Sequence, residues 1–249
     1  KLIEVTDRKT ARMFLDTARA IYRDDDTWVC PLDKHINGVF DPAVNPYFKH
    51  GTATRWVLTG DDNSLIGRVA AFIDFNMAKT YDQPTGGIGF FECIDDDIAA
   101  GMLFNIAREW LRERGMEAMD GPINFGENDN NWGLLVEGFM QQGYGMPYNK
   151  QYYRDFFEEY GFRNYFEQYS YHRDVRTPDN KIVEFPPRIM KIAEWLTKRP
   201  GYSFRHFEFG RKEKFLNDLA EIYNATWKAF KEDFTPLDPE LLDSLFKKA

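Results

Sequence analysis

The chain has 249 residues, 43% hydrophobic and 29% charged, a composition that fits a soluble globular protein and excludes disordered, collagen-like and disulfide-scaffold classes. Forty acidic residues against 32 basic ones leave a formal charge of −8, so neither nucleic acid nor an anionic membrane is an expected partner. No run approaches the roughly 18 apolar residues of a membrane span, and the first residues are charged and periodic rather than signal-like, so a cytoplasmic protein is expected.

Leu2–Val5 reads as a strand, followed by Thr6 and Asp7 as caps of a helix whose apolar positions Met13, Phe14, Ala18, Ile21 and Tyr22 recur at three and four. A shorter helix is expected within Trp28–Phe40, closed by Asp41-Pro42 and Asn45-Pro46. Thr54–Thr59 and Leu65–Ile73 are β-rich runs joined by Gly60-Asp61-Asp62-Asn63-Ser64, a hairpin loop. A strand over Ile88–Ile94 precedes the clearest helix, about Ile98–Arg114, with Ile98, Met102, Ile106 and Trp110 beside Leu103, Ala107 and Leu111 in one stripe and Gly115 as its stop. Beyond it we expect a strand over Met116–Ile123, a short helix near Trp132–Val136, a helix over Tyr148–Tyr160 stopped by Gly161, and a long alternating strand over Asn164–Val175. Strands both cluster and alternate with helices, which makes this a mixed α/β (α+β) domain rather than a doubly wound one. Cys30 and Cys93 are too few for a zinc site, and both are expected as small buried hydrophobes.

After Thr177 come a polar connector, a helix through Trp195 and a strand over Tyr202–Phe209. Arg211-Lys212, Phe215-Leu216, Ile222-Tyr223 and Pro236-Leu237-Asp238 then repeat, in order and at similar intervals, Arg8-Lys9, Phe14-Leu15, Ile21-Tyr22 and Pro31-Leu32-Asp33. The expected organisation is a first domain over 1–176, a connector over 177–204, and a second, truncated copy begun in 205–249. With no initial methionine, the natural protein is expected to be longer.

Gly89-Phe90-Phe91-Glu92-Cys93-Ile94, the helix from Ile98, Gly121-Pro122-Ile123-Asn124 and Tyr152-Tyr153 to Gly161-Phe162 follow the order of the central motifs of the GNAT superfamily of acyl-CoA N-acyltransferases. Leu65-Ile66-Gly67-Arg68-Val69-Ala70-Ala71, Asp120-Gly121-Pro122 and Gly133-Leu134-Leu135-Val136-Glu137-Gly138-Phe139 resemble, more narrowly, a bacterial branch with two GNAT-like domains in tandem. The resemblance implies a mixed, mostly antiparallel central sheet with two splayed strands, flanked by helices. It also implies that acetyl-CoA or a longer acyl-CoA lies in the opening, transferring its acyl group to an amine by direct attack. The cofactor contacts it implies fall on Phe91, Cys93 and Ile94 of one strand, Asn124 of its neighbour, and Ala99, Ala100 and Gly101 at the helix start, where free N–H groups and the dipole favour a pyrophosphate.

Two places depart from the family pattern. The turn that normally holds a basic or amide residue and glycines reads Asp95-Asp96-Asp97-Ile98-Ala99-Ala100-Gly101, and three carboxylates there cap the helix and oppose a diphosphate. The position of the usual tyrosine acid is Phe157, so Tyr153, one turn earlier on the same face, is the candidate acid. Glu92 alternates with Phe91 and Cys93, points to the other face, and is the candidate general base. The amide-rich loop after Asn124 gives Glu127 and Asn128 as candidate substrate contacts, and Tyr148 is expected to line the cleft between the parted strands with Phe91, Glu92, Asn124 and Tyr153. That loop lacks the regular spacing of a calcium site, and the four histidines form no constellation, so no metal is expected. The rival reading is a degenerate GNAT-like domain that binds a ligand or pairs with its tandem partner without catalysis.

Overall fold

A computed structural model describes residues 1–79, 82–126, 130–165 and 167–229, and beyond these 236, 237, 239, 242 and 243. The chain divides into two compact units, Lys1–Gln168 and Tyr169–Ala249.

The first unit is built on a five-stranded sheet in the order β1 (Leu2–Glu4), β2 (Gly51–Thr59), β3 (Leu65–Asp74), β4 (Thr85–Cys93) and β5 (Ala118–Asp120). The first four strands pair antiparallel and β5 runs parallel to β4. Helices α1 (Arg8–Ile21) and α2 (Asp33–Val39) cover one face, whose core is Phe14, Leu15, Ile36, Val57 and Ala70. Helices α3 (Asp97–Arg112) and α4 (Tyr153–Tyr160) belong to the larger core of the other face, with Val69, Ala71, Ile88, Phe91 and Cys93 from the sheet. This is the mixed, mostly antiparallel sheet flanked by helices that the sequence leads one to expect.

Local chemistry explains several element ends. Asp7 accepts the Thr10 N–H at 2.7 Å while Thr10 Oγ accepts the Asp7 N–H at 3.1 Å, a reciprocal capping box that starts α1. Gly161, at φ +112°, ends α4 in a left-handed conformation that a side chain would strain. The strand β5 is only three residues long because Gly121-Pro122 follows, and proline has no N–H to give a ladder.

Three features of the sheet place the site. First, Arg68 pairs with Glu92 and Ala70 with Gly89, so β4 carries one extra residue, a bulge at Phe90, whose φ is +52°. The bulge resets the alternation: Phe90 joins the α1 face, while Phe91 and Cys93 join the α3 face. Second, β4 and β5 pair only over Thr85–Gly87 and Ala118–Asp120, with one further bond from Ile123 N–H to the Ile88 carbonyl at 2.8 Å. Third, Gly89 lets the departing chain pass, since a Cβ there would lie 1.8 Å from the Ile123 carbonyl oxygen. Beyond that crossing the two strands part, and among the described residues the outer edge of β4 at Phe91–Cys93 has no strand neighbour.

Several expected elements differ. The buried side of α3 is Ala99, Ala100, Leu103, Phe104, Ala107 and Leu111, so Ile98 is 78% exposed and the stripe is rotated towards Phe104. Residues 132–136 form no helix, and α4 starts at Tyr153 rather than Tyr148. Neither the described residues of 164–175 nor 202–209 form a strand, because an alternating pattern makes a strand only where a neighbour completes its ladder. Cys93 is buried as expected, whereas Cys30 is exposed.

In the second unit α5 (Pro187–Lys198) has no buried side chain, and α6 (Lys212–Trp227) buries Leu216 and Ala220 against Leu242. In α6 the Asn224 side chain bonds both the N–H and the carbonyl of Leu237, at 2.7 and 3.1 Å.

Candidate functional site

The parted edge of β4 holds a buried carboxylate. Glu92 is 8% exposed, and its Oε2 accepts hydrogen bonds from Tyr22 Oη at 2.6 Å and Tyr153 Oη at 2.9 Å. Its Oε1 lies 3.4 Å from Arg68 Nη2, and the same guanidinium donates to the Phe14 carbonyl at 2.9 Å. Tyr22 leaves the C-terminal end of α1 and Arg68 rises from β3, so both approach from the α1 side. Tyr153, the first residue of α4, packs with the opposite core, on Phe91 at 5.2 Å and Phe156 at 6.2 Å between ring centroids. Its hydroxyl reaches Glu92 past the edge that β5 has left open. The carboxylate is thus held from both sides of the sheet.

Burial sets the protonation of this cluster. Desolvation pushes the Glu92 carboxyl above its ordinary range, and the Arg68 charge and the two tyrosine hydroxyls pull it back. The Tyr22 and Tyr153 phenols lie well above their ordinary value, first through burial and then through the adjacent Glu92 charge. Both therefore stay protonated at neutral pH and act as donors. Burial, followed by the charges of Asp96, Glu92 and Asp95, pushes the Cys93 thiol up to about 12, which makes it an inert core group rather than a nucleophile.

The backbone of the open edge is already engaged. Cys93 N–H donates to Tyr153 Oη at 2.7 Å, and the Cys93 carbonyl accepts from Tyr152 Oη at 2.9 Å. The Ile94 N–H is held by the Ile66 carbonyl at 2.9 Å. These are the strand groups to which the family resemblance assigns pantetheine, and here two tyrosines of the chain itself bond the free pair. Phe91 points away from Glu92 and stacks on Phe104 at 4.6 Å with the rings 1° from parallel.

At the start of α3, Asp96 caps the helix by accepting the Ala99 N–H at 2.8 Å, so a donor that an anion would use is satisfied. Ala99 and Ala100 are buried, and a Cβ on Gly101 would meet nothing within 4 Å. A shallow groove of about 180 Å³ runs between α3 and α4, lined by Asp97, Ala100, Gly101, Phe104, Phe156, Glu159 and Tyr160. It is smaller than ordinary ligand pockets and carries a carboxylate from each helix.

Of the remaining candidates, Tyr148 touches the cluster through Tyr22, with ring centroids 6.0 Å apart, and donates to Asp25 at 3.1 Å. Lys150 joins the same Asp25 at 2.9 Å, and Trp28 stacks on Tyr22 at 4.8 Å. The Asn124 Oδ1 is buried without a hydrogen-bond partner. Glu127 and Asn128 lie outside the described residues. The structure thus brings Glu92, Tyr153, Cys93 and, one ring removed, Tyr148 together. It adds Tyr22, Arg68 and Tyr152, which sequence reasoning did not place in a site. Arg68 had a legible signal: it is the one charge inside the apolar run Leu65–Ile73. Tyr22 had none, because at its helical spacing it reads as one more core aromatic.

No protein-family model matches the chain. The chain is 27% identical over 222 residues to Protein YghO of Escherichia coli (strain K12), a match covering 87% of this chain and 53% of that protein. It is 28% identical over 221 residues to the bacterial ceramide synthase of Caulobacter vibrioides (strain NA1000 / CB15N), covering 87% of this chain and 54% of that protein. The chain therefore spans about half the length of these curated relatives. Among solved structures, one described as a predicted acetyltransferase from Clostridium acetobutylicum, determined with acetyl-CoA, aligns with a TM-score of 0.42 at 16% identity, covering 69% of this chain and 95% of that one. Among the described residues no helix is long and apolar enough to cross a membrane.

Proposed function

We propose that this chain contributes to N-acyl transfer from an acyl-CoA to an amine, with Glu92 taking a proton from the amine and Tyr153 giving one to the leaving thiolate. The observation that carries the reading is a buried carboxylate bonded to a phenol at the edge of β4 that β5 has left. A carboxylate raised by burial is a better base near neutral pH than an exposed one, and a protonated tyrosine in hydrogen-bond reach is a suitable acid. Positioning the thioester beside this pair would supply most of the remaining rate.

The ceramide synthase relative suggests the finer reading. A ceramide is the N-acyl amide of a long-chain amino alcohol, so the amine would be a long-chain amino alcohol and the donor a long-chain acyl-CoA. The repeated block and the greater length of the relatives support a tandem protein in which residues from about 205 begin a second GNAT-like domain. Two observations favour the rival, a non-catalytic binding or pairing domain: the tyrosine bonds on Cys93 and the satisfied, acidic start of α3.

Thiol release from acetyl-CoA and from palmitoyl-CoA, each with and without a long-chain amino alcohol, tests the proposal. Amine-dependent release that is faster with the long donor and falls about 10²-fold in Glu92→Gln is the expected result. Release with no amine dependence, or none from either donor, favours the binding domain.

A further inference from the structure

Building on the acyl-transfer reading, we infer that Glu92 and Tyr153 are one proton-sharing unit rather than an independent base and acid, and that Tyr22 is the positioning residue that holds it. Both tyrosine hydroxyls converge on the same carboxylate oxygen, Oε2, at 2.6 and 2.9 Å. Tyr22, Tyr153 and Glu92 are 2%, 1% and 8% exposed, so the unit has little access to bulk water. The two phenols come from opposite sides of the sheet and meet only because β5 has left the edge of β4.

The step balances within the unit. The amine nitrogen forms its bond to the thioester carbon as the C–S bond breaks, and the amine proton goes to the Glu92 carboxylate. The Tyr153 hydroxyl gives its proton to the departing thiolate. The proton on Glu92 then crosses the 2.9 Å contact to the Tyr153 phenolate, and both groups return to their starting state with no proton taken from solvent. Tyr22 donates to Glu92 throughout. Its bond favours the charged carboxylate and so lowers the pH at which Glu92 is ready to act. The groups acting on Glu92 are Arg68 from β3, Tyr22 from α1 and Tyr153 from α4. Arg68 keeps the carboxylate compatible with burial, and Tyr22, at the shorter distance, fixes its orientation.

The test compares Glu92→Gln, Tyr153→Phe and the double variant in the thiol-release assay. A shared unit predicts that each single change costs about 10²-fold in kcat and that the double variant is no slower than the slower single. Losses that multiply overturn the inference while leaving acyl transfer standing. Tyr22→Phe is read separately. Its kcat should lose activity at the acidic end, with the acidic limb of the pH profile moved to higher pH and KM unchanged. A uniform loss at every pH would mark Tyr22 as merely structural. Should the wild-type chain show no acyl transfer, the proposed function fails, and the shared unit is still read by ¹³C NMR titration of the Glu92 carboxyl. Tyr22→Phe and Tyr153→Phe should each raise its midpoint, and midpoints that stay in place overturn the inference. Should Glu92→Gln fail to fold, Tyr22→Phe with Tyr153→Phe, singly and combined, gives the same two readouts.

Discussion

On the α3 and α4 side of the sheet the core is made of hydrocarbon and rings: Phe91, Phe104, Phe157 and Phe162 meet stacked, tilted or edge to face at 4.6 to 5.6 Å. On the α1 side the interior also holds charge. Arg68 lies 4.8 Å over the Phe14 ring and Arg55 4.3 Å over the Phe40 ring, with Glu92 the carboxylate bonded to Arg68. Arg55 has no acidic partner among the described residues, its Nη1 is buried without a hydrogen bond, and burial followed by the Arg68 charge lowers its pKa to about 10. One face gains stability from area and fit, which depend little on pH. The other holds ions out of water, a cost that is tolerated only where partners are in place and that changes with protonation. A sheet whose two faces differ in this way keeps its apolar packing on one side and its buried ionisable groups on the other.

The largest effect should come from breaking the apolar face. Phe104→Ala removes a ring in contact with Phe91, Phe157, Tyr160 and Phe162 and should cost about 3 to 5 kcal/mol in denaturant unfolding. A loss below about 1 kcal/mol would mean that this core is not close-packed.

On the charged face, Arg68→Met strands the Glu92 carboxylate and should cost about 3 kcal/mol. Adding Glu92→Gln should recover part of that loss, because the charge that needed a partner is gone. Strictly additive losses would show that the two groups do not interact.

The next effect is one of pH. The Glu92 carboxyl is raised in the folded chain, whereas in the unfolded chain it titrates at about 4.3. Between those values the native state keeps a proton that the unfolded chain has lost, so wild-type stability falls as pH rises through the window. The amide introduced by Glu92→Gln has no such proton to lose. The melting temperature of the variant minus that of the wild type should therefore increase as pH rises above about 4.3, and a flat or falling difference contradicts a raised carboxyl.

Smaller still is the effect at the start of α3. Replacing Asp95, Asp96 and Asp97 with Asn keeps a capping side chain and removes three charges, so affinity for CoA should rise about fivefold at low ionic strength, and less as salt is added. An unchanged or weaker affinity by calorimetry would mean that the carboxylates do not oppose the cofactor. The smallest change belongs to Ile98, apolar but exposed at the same helix start: Ile98→Ala should stay within about 0.5 kcal/mol in the unfolding assay used for Phe104.

How much of this is legible in the sequence depends on how far apart the responsible groups lie. The start of α1 is settled by Asp7 and Thr10, three residues apart, and the end of α4 by Gly161 alone. The hairpin between β2 and β3 follows from the turn residues between two β-rich runs, and the opposite faces of Glu92 and Phe91 follow from strand alternation. The extent of the buried stripe of α3 is less legible. Ile98 and Phe104 are both apolar, and which one is covered depends on where α4 and the sheet lie.

The sequence by itself determined the order of the elements from β1 to β5, the start of α1, the end of α4 and the turn between β2 and β3, because those depend on neighbours within a few positions. Only the tertiary structure decided that the chain crosses at Gly89 and Ile123 and then leaves the edge of β4 open. It alone decided that Tyr22, 70 residues before Glu92, and Tyr153, 61 residues after it, close on one carboxylate oxygen. It also decided that the strand pattern of 164–175 finds no ladder among the described residues. A pairing between distant segments is selected by the packing of the whole core, and no local propensity or spacing along the chain encodes it.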